Sequence, residues 1–142
     1  MAATSRRPQR SFEGVLSEMT FEFFGSGQHK MSVERLFSEP RGVLLDVRSV
    51  EEVQTLSLPF AHDLTILHIP THEIPDLLAE IPTDRPVAVF CSAGTRAAIV
   101  YAYLRVKGFE HVCILAGGLA DLAEHVKPGK LWMRLRDRGV LP

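Results

Sequence analysis

The sequence predicts an α/β fold, a three-layer sandwich with a central parallel sheet flanked by helices. Three observations predict it. Short apolar, β-prone runs recur at residues 43–47, 67–69, 86–90 and 112–115. Stretches with helix start and stop signals separate them, and strands alternating with helices imply a parallel sheet covered on both faces. The chain has 142 residues, of which 46% are apolar and 23% charged, the profile of one globular domain. A chain of this length can bury about two-thirds of its unfolded surface, so its core needs no staples. That composition excludes global disorder and a coiled coil, and no apolar run approaches the ~20 residues that span a bilayer.

The elements follow in order. Residues 1–18 read as a flexible N-terminal segment. Residues 19–24 are apolar and β-prone, an edge strand or a packing arm, which Gly25, Ser26 and Gly27 break. Ser32 is placed to cap a short helix over 33–38, and Pro40 ends it. Residues 43–47 (VLLDV) predict a buried strand. Ser49 and Glu52 stand as S-x-x-E, a capping box that starts a short helix. Residues 67–69 predict a strand stopped by Pro70. Residues 72–81 predict a helix with Ile74, Leu77, Leu78 and Ile81 on one face and Pro75 in its first turn, where a missing N–H costs little.

Residues 86–90 (PVAVF) are the clearest strand and 96–107 the clearest helix. That helix is apolar on nearly every side, so it is expected to be buried against the sheet. Arg105 and Lys107 lie in its last turn, where cations suit the helix dipole. Gly108 is placed for the left-handed residue after the helix, with Phe109 as its hydrophobic contact. Residues 112–115 predict another buried strand, followed by Gly117-Gly118 and a short helix over 119–125. The domain proper is read as 19–126. The basic segment 127–142 is expected to pack on it through a terminal helix over 130–138 that holds Trp132.

Net charge is -1, which favours neither nucleic acid nor a membrane surface as partner. The charge is nonetheless uneven, with an acidic body between basic ends. The cations near the C-terminus, Lys127, Lys130, Arg134, Arg136 and Arg138, read as a solvated tail or as a docking patch for an acidic partner. Arg6, Arg7 and Arg10 precede no apolar stretch, so no secretory signal is expected. Two cysteines, Cys91 and Cys113, make no disulfide scaffold, and a reducing, cytoplasmic location is expected.

In a parallel sheet the active site lies at the carboxyl ends of the strands. That rule marks the positions after Val47, Phe90 and Leu115. After Phe90 the chain reads Cys91-Ser92-Ala93-Gly94-Thr95-Arg96 and then the helix begins. A cysteine there faces a short loop whose N–H groups can converge as an anion nest, beside the positive end of a helix. Both effects favour a thiolate and would lower its pKa. Gly94 supplies backbone freedom, Ser92 and Thr95 supply hydroxyls, and Arg96 supplies a fixed cation with a planar donor fork.

This loop resembles the C-x-x-G-x-R active-site loop of the rhodanese-like sulfurtransferases. Leu45-Asp46-Val47-Arg48 with Glu51-Glu52 is similar to that family's D-V-R…E-E segment, and His68-Ile69-Pro70 to its H-I-P element. Gly108-Phe109, Val112 and Leu115-Ala116-Gly117-Gly118 resemble its G-F-x-x-V…L-x-G-G end. The resemblance spans residues 31–124. Two departures stand out. Phe60-Ala61-His62-Asp63-Leu64-Thr65 replaces the usual G-H-I-P-G-A approach, so the loop over 60–66 is expected to differ. The family's Trp beyond the glycine pair is missing, and Trp132 is expected to fill its space.

The resemblance implies ping-pong sulfur transfer. Cys91 would take the outer sulfur of a small anionic donor such as thiosulfate, or of a persulfide. It would pass that sulfur to cyanide in vitro or to a thiol in the cell. Residues Ser92, Ala93, Gly94, Thr95 and Arg96 would cradle the persulfide, and Arg96 would orient the donor, hold the loop, or both. Asp46 and Arg48 read as supporting charges rather than reacting groups. The alternative is a sulfur carrier in a persulfide relay, docking a sulfur-carrier protein and turning over small molecules little. Cysteine phosphatases of similar fold hold five residues between Cys and Arg, and here there are four. Cys113 reads as core. The six histidines, His68 and His72 included, lack ligand spacing, so neither metal nor cofactor is expected.

Overall fold

A computed structural model describes residues 8–58 and 64–142. Five strands form one sheet: β1 (Lys30–Met31), β2 (Val43–Asp46), β3 (Thr65–His68), β4 (Val87–Phe90) and β5 (Val112–Leu115). Their spatial order is β1-β5-β4-β2-β3, and every pairing is parallel. The helices are α1 (Phe12–Ser17), α2 (Phe21–Ser26), α3 (Val33–Ser38), α4 (Val50–Thr55), α5 (Thr95–Val106), α6 (Gly118–Glu124) and α7 (Pro128–Asp137). The three-layer α/β sandwich read from the sequence is the fold of the chain.

Strand side chains alternate between faces, so each strand feeds two cores. Val43, Leu45, Val87, Val89 and Val112 pack on one face beneath Ala97, Val100, Tyr101 and Leu104 of α5. Leu44, Ala88, Phe90 and Leu115 pack on the other, against Val33, Leu36 and Phe37 of α3 and Leu122 of α6. Leu36, Leu44, Leu45, Leu104 and Leu122 are fully covered. Each such burial contributes roughly 1.5–3 kcal/mol before entropy is counted. The same alternation sends Cys91 toward α5 and Cys113 toward α3. The sheet therefore stands between the two thiols. Burial pushes the Cys113 thiol pKa up, as expected of a core cysteine.

Several elements depart from the sequence reading. Residues before Ser17 hold α1, capped by the Ser11 hydroxyl on the Gly14 N–H at 3.0 Å. Residues 1–7 of the proposed flexible segment lie outside the described residues. The apolar stretch 19–24 is no edge strand. Thr20 caps α2 there, and Met19 and Phe23 lie against the core as an arm. The sheet's edges are the two-residue β1 and, on the other side, β3. Over 72–81 the chain forms two 3-10 turns, Thr71–Glu73 and Leu78–Glu80, and no α-helix. Because the first turn begins at Thr71, Pro75 falls beyond the positions that tolerate a missing N–H. Ile74 and Ile81 are still buried. α5 is only half covered, with Ile99 59% exposed.

The terminal helix α7 is present, yet none of its residues is buried. It docks through polar contacts. Arg138 donates to the Phe37 carbonyl at 2.7 Å, and the Arg134 guanidinium lies 3.9 Å over the Phe37 ring. Trp132 is half-exposed beneath Arg136 and fills no core space. The basic segment thus lies against α3, by the amino ends of β2 and β3.

The exit from α5 matches its sequence signal. Gly108 sits at φ 86°, its N–H donates to the Arg105 carbonyl at 3.1 Å, and the Phe109 N–H reaches the Leu104 carbonyl at 3.0 Å. This is a Schellman closure, with the buried Phe109 as its hydrophobic contact. Gly108→Ala is expected to destabilise the chain by about 1–2 kcal/mol, because an L residue is strained in that conformation. Equilibrium denaturation in urea measures it.

Candidate active site

Sheet order places the site. β2 lies between β3 and β4, and β4 lies between β2 and β5. The connections leaving β2 and β4 diverge at their carboxyl ends and open a crevice there. Asp46 and Phe90 are paired across those ends, and the Val47 N–H donates to the Phe90 carbonyl at 2.9 Å. Cys91 is the next residue, only 3% exposed.

The Cys91 sulfur accepts N–H groups from Gly94 at 3.1 Å and Ala97 at 3.3 Å. One comes from the loop and the other from the first turn of α5. Gly94 is the N-cap of α5 at φ 89°, and a Cβ there would meet nothing. Glycine is required for the turn of the backbone, not for space. No cap side chain and no first-turn carboxylate offset the positive end of α5. Ser92, Ala93, Gly94 and Thr95 are exposed around the thiol.

Arg96 does not reach into open space. Its Nη1 donates to Glu52 Oε2 at 2.6 Å, and its Nη2 to Glu52 Oε1 at 2.8 Å and to the Ser92 hydroxyl at 3.0 Å. The Ser92 hydroxyl in turn donates to Glu52 Oε1 at 3.3 Å. Glu52 also closes the capping box of α4, accepting the Ser49 N–H at 2.9 Å. One carboxylate therefore ties α4 to the Cys91 loop. The bidentate Arg96 bond holds the Glu52 carboxyl well below its ordinary range. The sequence marked Glu52 only as a capping residue and part of a family motif. Its partner lies 44 positions away, which spacing does not reveal.

Asp46 and Arg48 form a pair 2% and 3% exposed. Arg48 Nε donates to Asp46 Oδ1 at 3.0 Å and Nη2 to Oδ2 at 2.8 Å. The Arg48 backbone N–H also donates to Oδ1 at 3.1 Å, and Nη1 reaches the Leu56 carbonyl at 2.9 Å. The guanidinium lies 5.3 Å over the Phe90 ring. The His68 Nε2 bonds the Arg48 carbonyl at 2.8 Å, and the Thr71 hydroxyl bonds the Val47 carbonyl at 2.9 Å. These contacts fix the loop from β2 to α4 and so the position of Glu52. The described residues hold no cluster of three or more His, Cys, Asp or Glu side chains arranged for a metal ion. Much of the altered loop over 60–66 lies outside the described residues.

The geometry can be set beside known proteins. The sequence pattern of the rhodanese-like domain matches residues 31–125. A sulfurtransferase from Allochromatium vinosum is 35% identical over 95 residues, covering 67% of this chain and 84% of that protein. A rhodanese-related protein from Thermoplasma volcanium superposes with a TM-score of 0.57 at 23% identity, over 70% of this chain and 95% of that one. A NAD-dependent persulfide reductase from A. fulgidus has a TM-score of 0.54 at 31% identity. That match covers 74% of this chain but only 18% of the reductase, so it concerns one part of a larger protein. With two-thirds of its length under the family pattern, the chain belongs to the rhodanese-like domain family, and sulfur transfer is the chemistry this membership supports.

Proposed function

We propose that the chain is a sulfurtransferase that carries sulfane sulfur as a Cys91 persulfide. The observation that supports this most is the double N–H donation to a buried cysteine sulfur at the head of α5. The same donors that hold the thiolate can hold the charge of the terminal persulfide sulfur, since each bears on a sulfur anion in a site shielded from water. The Cys91 thiolate attacks the outer sulfur of the donor. A bond forms between Sγ and that sulfur, the donor's S–S bond breaks, and the electron pair leaves with the donor fragment. A thiophilic acceptor then removes the outer sulfur and restores the thiolate.

In this reading Ser92, Ala93, Gly94 and Thr95 line the place of the transferred sulfur. Arg96 acts by holding the loop, through Glu52, rather than by free contact with the donor. Asp46 and Arg48 act at one remove, fixing the backbone on which Glu52 stands. Cys113 takes no part, being on the far side of the sheet.

Intact-protein mass after incubation with a sulfane donor tests the reading. The reduced chain is expected to gain one sulfur and to lose it to cyanide. Cys91→Ser is expected to abolish the gain, and Cys113→Ser to retain it. Equal loss of loading in a folded Cys113→Ser variant would sink the assignment.

A second expectation concerns Glu52. Its carboxyl is depressed from an ordinary value of 4.5 by the Arg96 bond. The stability it contributes is therefore fully present above the unfolded pKa and is lost as pH falls toward the folded one. The stability difference between the wild type and Glu52→Gln is expected to be constant from about pH 6 to 8 and to shrink below about pH 4. Urea denaturation across that range measures it.

A further inference from the structure

The charges around Cys91 bear on which donor the site accepts, an inference that rests on the sulfurtransferase reading. The strands' carboxyl ends, and the turns that leave them, carry three arginines among the described residues, Arg35, Arg48 and Arg96. Each has a carboxylate beside it, close and hydrogen-bonded for Arg48 and Arg96 and a looser surface contact for Arg35. Arg35 pairs with Glu39, Arg48 with Asp46 and Arg96 with Glu52. Arg48 is also buried, so its charge is not offered to the crevice.

The same end of the sheet is rich in acids. Glu51 and Glu52 stand in the first turn of α4, Glu73 closes the 3-10 turn after β3, and Asp121 lies in the first turn of α6, while Glu34, in the first turn of α3, faces the cavity shared with the basic C-terminal segment. These carboxylates offset the positive ends of their own elements. Of the described helices that follow a strand, α5 alone lacks one in its first turn, and its positive end is taken up by the Cys91 sulfur. The helix dipole thus serves the charge on the sulfur, inside a rim whose repulsion grows with the charge a donor brings, two for thiosulfate and one for an ionised persulfide.

Thiosulfate brings two charges, and its sulfonate oxygens would need cations that the rim does not offer. We infer that Cys91 draws its sulfur from a thiol persulfide on a neutral or basic carrier, and that the acidic rim with its paired arginines discriminates against dianionic donors. In the transfer the Cys91 thiolate attacks the outer sulfur of the persulfide. The new Sγ–S bond forms as the carrier's S–S bond breaks, and the carrier leaves as a thiolate that takes a proton from water. No oxidant or reductant is consumed.

The test is the rate of sulfur gain by the full chain at pH 8, with 2-hydroxyethyl persulfide and with thiosulfate as separate donors. Added salt screens the rim. Thiosulfate loading is expected to rise about threefold or more between low and high ionic strength, and loading by the persulfide, a monoanion at this pH, to rise by less. The ratio of thiosulfate to persulfide loading is the second readout, because a loosened loop slows both donors and cancels in it. That ratio is expected to rise in Glu52→Gln, which frees Arg96. It is also expected to rise in the double variant Glu51→Gln/Glu73→Gln, which leaves the Arg96 clamp intact. Thiosulfate loading that falls with salt, or ratios that stay at the wild-type value, would overturn the discrimination and leave the sulfurtransferase reading standing. Failure of both donors to load wild-type Cys91 would instead overturn the sulfurtransferase reading and this inference with it.

Discussion

The Glu52 carboxylate is the contact on which the site depends. It accepts two bonds from Arg96, one from the Ser92 hydroxyl and one from the Ser49 backbone. Without it the first turn of α4 and the loop after β4 would be separate elements meeting only at their strands. With it, the backbone around Cys91 is held from outside as well as by its own sheet. A bidentate carboxylate–guanidinium bond fixes direction as well as distance, which a single hydrogen bond does not. Both partners are about one-third exposed, at 35% of their side-chain surface. The contact is therefore better understood as orientation than as a large share of folding stability.

Behind it stands a second, buried pair. Asp46 and Arg48 lie in a part of the structure where removing either partner would strand a charge. Their bonds reach the Arg48 backbone, the Leu56 carbonyl and the Phe90 ring, so they brace the loop that launches α4 from both ends. Burial of such a pair is weak evidence for stability but fits a demand for one fixed loop geometry. The chain of constraint runs from β2 through this loop to α4, Glu52, Arg96 and finally Cys91.

The two faces of the sheet divide the labour. Strand alternation delivers Cys91 to the α5 side, where the helix begins close enough for the Ala97 N–H to reach the sulfur. The opposite face is occupied by α3, α6 and the polar contacts of α7, by the amino ends of β2 and β3. The basic C-terminal segment and the thiol are thus at opposite ends of the sheet. Two arginines of what reads as one basic tail in the sequence, Arg134 and Arg138, are spent on Phe37 and His125. The arm of α1 and α2 covers part of α5 and leaves Ile99 open.

By itself the sequence determined the sheet strands from β2 to β5, the Ser49–Glu52 capping box, the Gly108 exit from α5 and the identity of the cysteine loop. These are local signals: apolar runs, caps at fixed offsets and a glycine where the backbone must turn. It left 19–24 open between an edge strand and a packing arm, and it misread 72–81, because propensity and periodicity are silent on which apolar stretch takes the sheet edge and on where a turn begins relative to Pro75. The tertiary structure alone decided the Arg96–Glu52 clamp, the separation of Cys91 from Cys113 and the half-exposed place of Trp132. The clamp depends on which segments the strand order β1-β5-β4-β2-β3 brings side by side, and the other two on which face of the sheet or helix is covered. Residues 44 apart along the chain meet at bonding distance only once two parallel strands have paired.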